Sequence, residues 1–135
     1  MILGIGIDLA DVAEIRRIVE RYGTRFCDRV FSNEEQAYCE SRAGKFESYA
    51  ARFAVKEAVL KALRLDQGET FALRCVTVRN DAQGRPSVEL SGRAALFFKE
   101  RQARLFHISI THTKTTACAV AVLEGKDNSL PDKDQ

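Results

Sequence analysis

The stretch YAARFAVKEAVLKAL, Tyr49 to Leu63, is rich in Ala, Leu, Lys and Glu and holds neither Gly nor Pro, so it predicts a helix running to about Leu65. On a helical projection Ala51, Val55, Ala58, Val59 and Ala62 form one apolar stripe, and Ala50, Phe53, Ala54 and Leu60 form a second. A helix apolar on two sides is mostly buried. Glu57 and Lys61 fall within the second stripe, where leucines would serve packing better, whereas Arg52 and Lys56 lie between the two stripes. A buried carboxylate is costly unless something pairs with it. A plain i to i+4 ion pair, contributing about a few tenths of a kcal/mol, is one account of Glu57 and Lys61. A bound ligand is the other.

Upstream, residues Ile2 to Leu9 alternate with period two: Leu3, Ile5, Ile7 and Leu9 share one face, and Ile2, Gly4, Gly6 and Asp8 the other. This predicts a strand that ends in a carboxylate on its glycine-bare face. Such a face admits another backbone, a tightly packed helix or a ligand. No third glycine follows, so the dinucleotide fingerprint fails. Asp8 has a plain reading, as an aspartate that ends a strand and caps the next segment. Two carboxylates from separate elements, with cations nearby, also fit Mg²⁺, which takes one or two protein carboxylates and completes its octahedron with waters and substrate phosphates.

Working outward, Asp11 is placed to cap a helix to about Tyr22. Ser32 with Glu35 three residues on is a capping box, opening a helix to about Arg42. Strands are expected over ALRCVTVRN and PSVELS, around the turn DAQGRP. A helix from Ser91 to about Arg104 comes next, and then the strands FHISITH and TACAVAVLE joined through TKT. This order predicts an α+β fold, an antiparallel sheet packed with helices. One domain over residues 1–124 fits the length of 135 residues, with 125–135 expected to be a disordered tail.

The apolar fraction of 45% and charged fraction of 30% are those of a soluble globular protein. The start MILGIGIDLADV has no basic segment and carries Asp8 and Asp11 where a signal peptide would be apolar, which predicts a cytoplasmic setting. Cys27, Cys39, Cys75 and Cys118 show no zinc or redox spacing, so reduced, buried thiols are expected. A net charge of +2 is too small to imply a polyanion partner by itself. The charge is uneven, however: Arg17, Arg21, Arg25 and Arg29 recur every four residues, with Gly23 expected to interrupt a continuous helical stripe. His107 and His112 are an odd number of residues apart and should point to opposite faces of a strand, which argues against a shared zinc site. Ser109, Thr111 and Thr113 are ordinary strand surface, or together with His112 hydrogen-bond a phosphate. No Ser or Cys stands in a nucleophile motif, so either the protein is not a nucleophilic catalyst or its substrate brings the nucleophile.

GIGIDLADV, ARFAVKEAVLKAL, the GRP of Gly84, Arg85 and Pro86, and ISITHTKTTACAVAV occur together in that order, and the whole chain to residue 124 resembles the bacterial holo-acyl-carrier-protein synthases, the small 4′-phosphopantetheinyl transferases. The resemblance implies Mg²⁺-dependent transfer of the phosphopantetheine arm of coenzyme A to a serine of an apo-acyl carrier protein of fatty acid or polyketide synthesis. Adenosine 3′,5′-bisphosphate would be released. It implies Asp8 and Glu57 as metal ligands and Lys61 as the third catalytic residue, facing the phosphates, either to neutralise the leaving phosphate or to help take the serine proton. Arg52, Ser109, His112 and Thr113 would contact coenzyme A, with Gly84, Arg85 and Pro86 near its adenine. The acidic carrier would dock on Arg17 and Arg21 of the first helix, with no role for nucleic acid or membrane. A homotrimer with active sites between subunits is also implied. Two departures stand out: Glu14, where many relatives carry an arginine, and RLDQG from Arg64 to Gly68, where they often carry a glycine-rich turn. A Mg²⁺-dependent phosphodiesterase or nuclease would use the same carboxylates on water. A basic docking module would use the arginines alone, and Tyr22 and Phe26 beside them read as core rather than as stacking platforms for RNA.

Overall fold

The computed structural model describes residues 1–64 and 70–127. Chain order is β1 (Ile2–Asp11), α1 (Val12–Tyr22), α2 (Thr24–Val30), α3 (Asn33–Glu40), α4 (Lys45–Leu63), a 3-10 turn (Thr70–Cys75), β2 (Val76–Asn80), β3 (Pro86–Leu90), α5 (Gly92–Glu100), β4 (Ala103–His112) and β5 (Thr116–Gly125). A three-stranded antiparallel sheet in the order β1-β5-β4 and the antiparallel hairpin β2-β3 give the expected α+β architecture.

Local chemistry sets most boundaries. The Asp11 side chain accepts from the N–H groups of Ala13 and Glu14 at the start of α1. Ser32 and Glu35 form the reciprocal capping box of α3. Gly23, at φ 53°, breaks the arginine-bearing segment into α1 and α2 as its sequence implied. Helix α4 begins at Lys45, earlier than its Ala-rich stretch suggests, and ends with Arg64 in the left-handed region. Leu65 and most of the RLDQG segment lie outside the described residues. Residues 72–75, expected to open a strand, belong instead to the 3-10 turn, and pairing with β3 starts only at Val76. Gly125, assigned to the tail, is the last residue of β5; its N–H donates to the carbonyl of Met1, 2.7 Å away. Residues 128–135 lie outside the described residues.

The core lies between α4 and the inner face of the sheet. Ala117, Ala119 and Ala121 of β5 meet Ala54, Ala58 and Ala62 of α4, all of them buried. Small side chains here let helix and sheet approach closely, and β1 approaches closest. A Cβ on Gly6 would sit 1.8 Å from the carbonyl oxygen of Ala58, and one on Gly4 would sit 2.1 Å from that of Ala62. Both obstacles are backbone, which no rotamer change relieves. Gly6→Ala is therefore expected to lower stability by at least the roughly 1–3 kcal/mol typical of overpacking. A urea midpoint equal to that of the parent would show that α4 can retreat from β1 freely.

The other face of β1 is bare. Ile5, Ile7 and Leu9 are 64%, 58% and 67% exposed, and they continue across β5 through their register partners Val122, Val120 and Cys118. A period-two strand with glycines on one face and branched chains on the other packs its glycine side inward here.

Candidate active site

Asp8 leaves the inner face of β1 two residues beyond Gly6, and Glu57 immediately precedes Ala58, the residue Gly6 abuts. The glycine contact thus brings the two carboxylates together. The Glu57 carboxyl is half-buried and pushed above the usual glutamate range, first by burial and then by the charge of Asp8, with Lys61 opposing both. Lys61 Nζ donates to Asp8 Oδ1 and to the carbonyl of Ile7, each at 3.0 Å. Two carboxylates face one ammonium group, so the cluster has an excess of negative charge in a partly desolvated place. That donor set fits a hard divalent cation bound through two carboxylates and otherwise by water or phosphate oxygen. Among the described residues no group of three or more His, Cys, Asp or Glu side chains could cage a metal.

Burial along α4 differs from the stripe pattern. Lys56 is fully buried and Arg52 is 6% exposed, whereas Lys61 reaches solvent and Glu57 lies at the rim. Helical projection placed Lys56 and Arg52 between stripes, but α4 is covered there by α3 and β2. Lys56 Nζ donates to Glu35 Oε1 at 2.7 Å, to the Leu73 carbonyl at 3.2 Å and to the Val76 carbonyl. Burial lowers the Lys56 ammonium from the usual lysine range, and the Glu35 carboxylate works against that shift. Glu35 also accepts from the backbone N–H groups of Ser32 and Val78. One ion pair therefore ties α3, α4 and β2 together.

Toward the N-terminal end of α4 lies an open cavity of about 360 Å³. Arg42 and Arg52 line one side, and Gly84, Pro86 and His112 another. Neither arginine enters an ion pair among the described residues. Arg52 Nε is buried without a hydrogen-bond partner. Glu47 is the acidic group of the lining. A buried guanidinium with an unused donor beside a cavity has the chemistry of a phosphate or carboxylate site. Along α4 the lining includes Ser48 and Arg52, nine and five positions before Glu57, or about 14 and 8 Å along the helix axis. An elongated, polyphosphorylated ligand suits that spacing.

The profile of the 4′-phosphopantetheinyl transferase superfamily matches residues 4–121. The chain is a member of that superfamily. The transferase is 40% identical over 125 residues to the holo-acyl-carrier-protein synthase of Syntrophus aciditrophicus, covering 93% of this chain and 98% of the relative. Among solved structures it is similar to the holo-acyl-carrier-protein synthase of Neisseria meningitidis, with TM-score 0.82, 28% identity and 92% and 99% of the two chains covered. It is also similar to that of Bacillus anthracis, solved in complex with CoA (3′,5′-ADP), with TM-score 0.76, 30% identity and 93% and 99% covered.

In the transferase Arg52, Gly84, Pro86 and His112 all line one cavity. Ser109 does not join them. Its register partner is Val120, so it sits on the outer face of the sheet beside Ile7, while His112 sits on the inner face. Arg85 is exposed and outside the lining. The Thr113 hydroxyl accepts from the N–H groups of Thr115 and Thr116 and closes the β4-β5 turn. His107 points outward, with Nε2 3.6 Å from Glu124, so the two histidines do part as predicted. Cys27 and Cys39 are buried whereas Cys75 and Cys118 are half-buried, and burial pushes the Cys39 thiol up to about 12, which keeps it inert. Tyr22 is 45% exposed, contrary to its reading as core. It joins Ile18, Phe26, Arg25 and Arg29 around a groove of about 370 Å³ at the α1-α2 corner. Sequence reasoning missed Arg42, Tyr38 and the Glu35–Lys56 pair, which are assembled from distant segments. Among the described residues no helix is long and apolar enough to cross a membrane.

Proposed function

We propose that the protein transfers 4′-phosphopantetheine from coenzyme A to a serine of an apo-acyl carrier protein and releases adenosine 3′,5′-bisphosphate. The observation that carries this reading is the carboxylate pair Asp8 and Glu57, the latter on the same helix as Arg52 of the arginine-lined cavity. The cavity would take the nucleotide phosphates, with the Gly84–Pro86 turn against the base. Asp8 and Glu57 would hold Mg²⁺, which when bound neutralises charge on the pyrophosphate. The carrier's serine oxygen gives up its proton to solvent water and forms the new bond to the phosphorus that bears the pantetheine arm. The bond from that phosphorus to the bridging oxygen breaks, and the electron pair leaves with adenosine bisphosphate. Lys61, held by two acceptors, favours the cationic role of neutralising the leaving phosphate over that of a base.

The carrier, being acidic, would dock along the exposed Arg17 and Arg21 of α1 and continue to Arg25 and Arg29 around the α1-α2 groove. Glu14 lies 4.0 Å from Arg17 and weakens the positive field at that end. The bare apolar face of Ile5, Ile7 and Leu9 is the surface that a homotrimer would cover. Ser109, on that face, would then serve a neighbouring subunit's site.

Intact-mass spectrometry of an apo-carrier incubated with the protein, CoA and Mg²⁺ tests the reading. One added phosphopantetheine, abolished by EDTA, is expected. CoA breakdown without a carrier and no mass gain with one would point to a hydrolase instead.

A further inference from the structure

The two unpaired arginines of the cavity share a neighbour. The Tyr38 ring lies with its centroid 4.0 Å from the guanidinium carbon of Arg52 and 5.1 Å from that of Arg42. Its hydroxyl accepts from Asn80 Nδ2 at 3.1 Å, and Asn80 pairs with Pro86 at the mouth of the β2-β3 turn. Tyr38 therefore touches a cation of α4, a cation just beyond α3 and the hairpin that lines the same cavity.

Two like charges converging on one cavity repel, and Arg52 is also deprived of water at 6% exposure. An aromatic face is the uncharged surface that attracts a guanidinium, most strongly where water is excluded. Among the described residues no carboxylate pairs with Arg52 and its Nε has no hydrogen-bond partner, so the Tyr38 ring is the contact the structure records on its guanidinium. We infer that Tyr38 is a positioning residue for anion recognition, whose ring holds the Arg52 guanidinium, with Arg42 beside it, in a phosphate-ready orientation before the substrate arrives. The inference rests on the proposed use of the cavity for the phosphates of coenzyme A. It adds a residue that touches the arginines rather than the reacting atoms. Preorganisation of this kind acts on binding, since the cost of ordering the fork is met in the free protein.

Steady-state kinetics with Tyr38→Leu and Tyr38→Phe separate this role from simple packing. Tyr38→Leu, which removes the ring, should raise the KM for CoA about tenfold, the scale of a desolvated cation–π contact, with the loss confined to that KM. The KM for the carrier should not move, and the Kd of adenosine 3′,5′-bisphosphate by calorimetry should rise with the KM for CoA. Tyr38→Phe keeps the ring face and should restore most of the affinity. A Tyr38→Leu variant with parental KM and Kd overturns the inference. So does Tyr38→Phe as impaired as Tyr38→Leu, because the hydroxyl would then carry the effect. A fall in kcat alone overturns it too, as lost folded protein rather than lost orientation. If the parent protein itself binds no CoA, the proposed function fails, and this inference fails with it for that separate reason.

Discussion

Glu57→Gln is expected to abolish transfer while leaving the metal-free fold intact or firmer. The exchange is nearly isosteric, and it removes a charge that burial and Asp8 both oppose. The sign comes from linkage. A carboxyl whose folded pKa is raised contributes stability that is fully present below its unfolded value and lost as pH rises through the folded value. As pH rises through the folded value the parent loses that contribution, whereas the amide never carries the charge. Thermal unfolding in EDTA should place the variant at or above the parent. Mg²⁺ should raise the midpoint of the parent and not of the variant. Activity should drop by more than the roughly 10- to 100-fold that even outer partners of a metal ligand are worth. Normal transfer by this variant would remove Glu57 from the metal site.

Lys56→Met is the largest expected loss of stability. The methionine fills similar volume, but Glu35 is left as a buried carboxylate without its counter-ion, and the carbonyls of Leu73 and Val76 lose their donor. Breaking a buried pair from one side costs about 3–5 kcal/mol, a large part of the roughly 5–15 kcal/mol by which a domain is stable. Urea unfolding should show a lower midpoint with little change in slope. Adding Glu35→Gln should recover part of the loss, since the amide oxygen can still accept from Ser32 or Val78 and no charge remains unpaired. If the double variant is no more stable than Lys56→Met, charge imbalance is not the cause.

How legible this molecule is in its sequence depends on the range of the interaction. Capping by Asp11 and Ser32, the Gly23 break and the alternation of β1 are local, and each is as predicted. Asp8 and Glu57 could be matched because each departs from the pattern of its own element. Lys56 could not, because a lysine between two apolar stripes reads as solvated until α3 and β2 cover it. The same holds for Tyr38, a routine residue of a short helix until Arg52 lies over its ring. Ser109 shows the converse: its neighbours in sequence serve the cavity, yet strand periodicity turns it to the other face.

The seam between Gly4, Gly6 and the carbonyls of α4 has a further consequence. The contact that closes the core is also the contact that sets the two acidic groups side by side, so assembly of the site is not a separate event from folding. Conditions that loosen the seam would part the two carboxylates as they open the core, so loss of the site and loss of the fold are expected to run together.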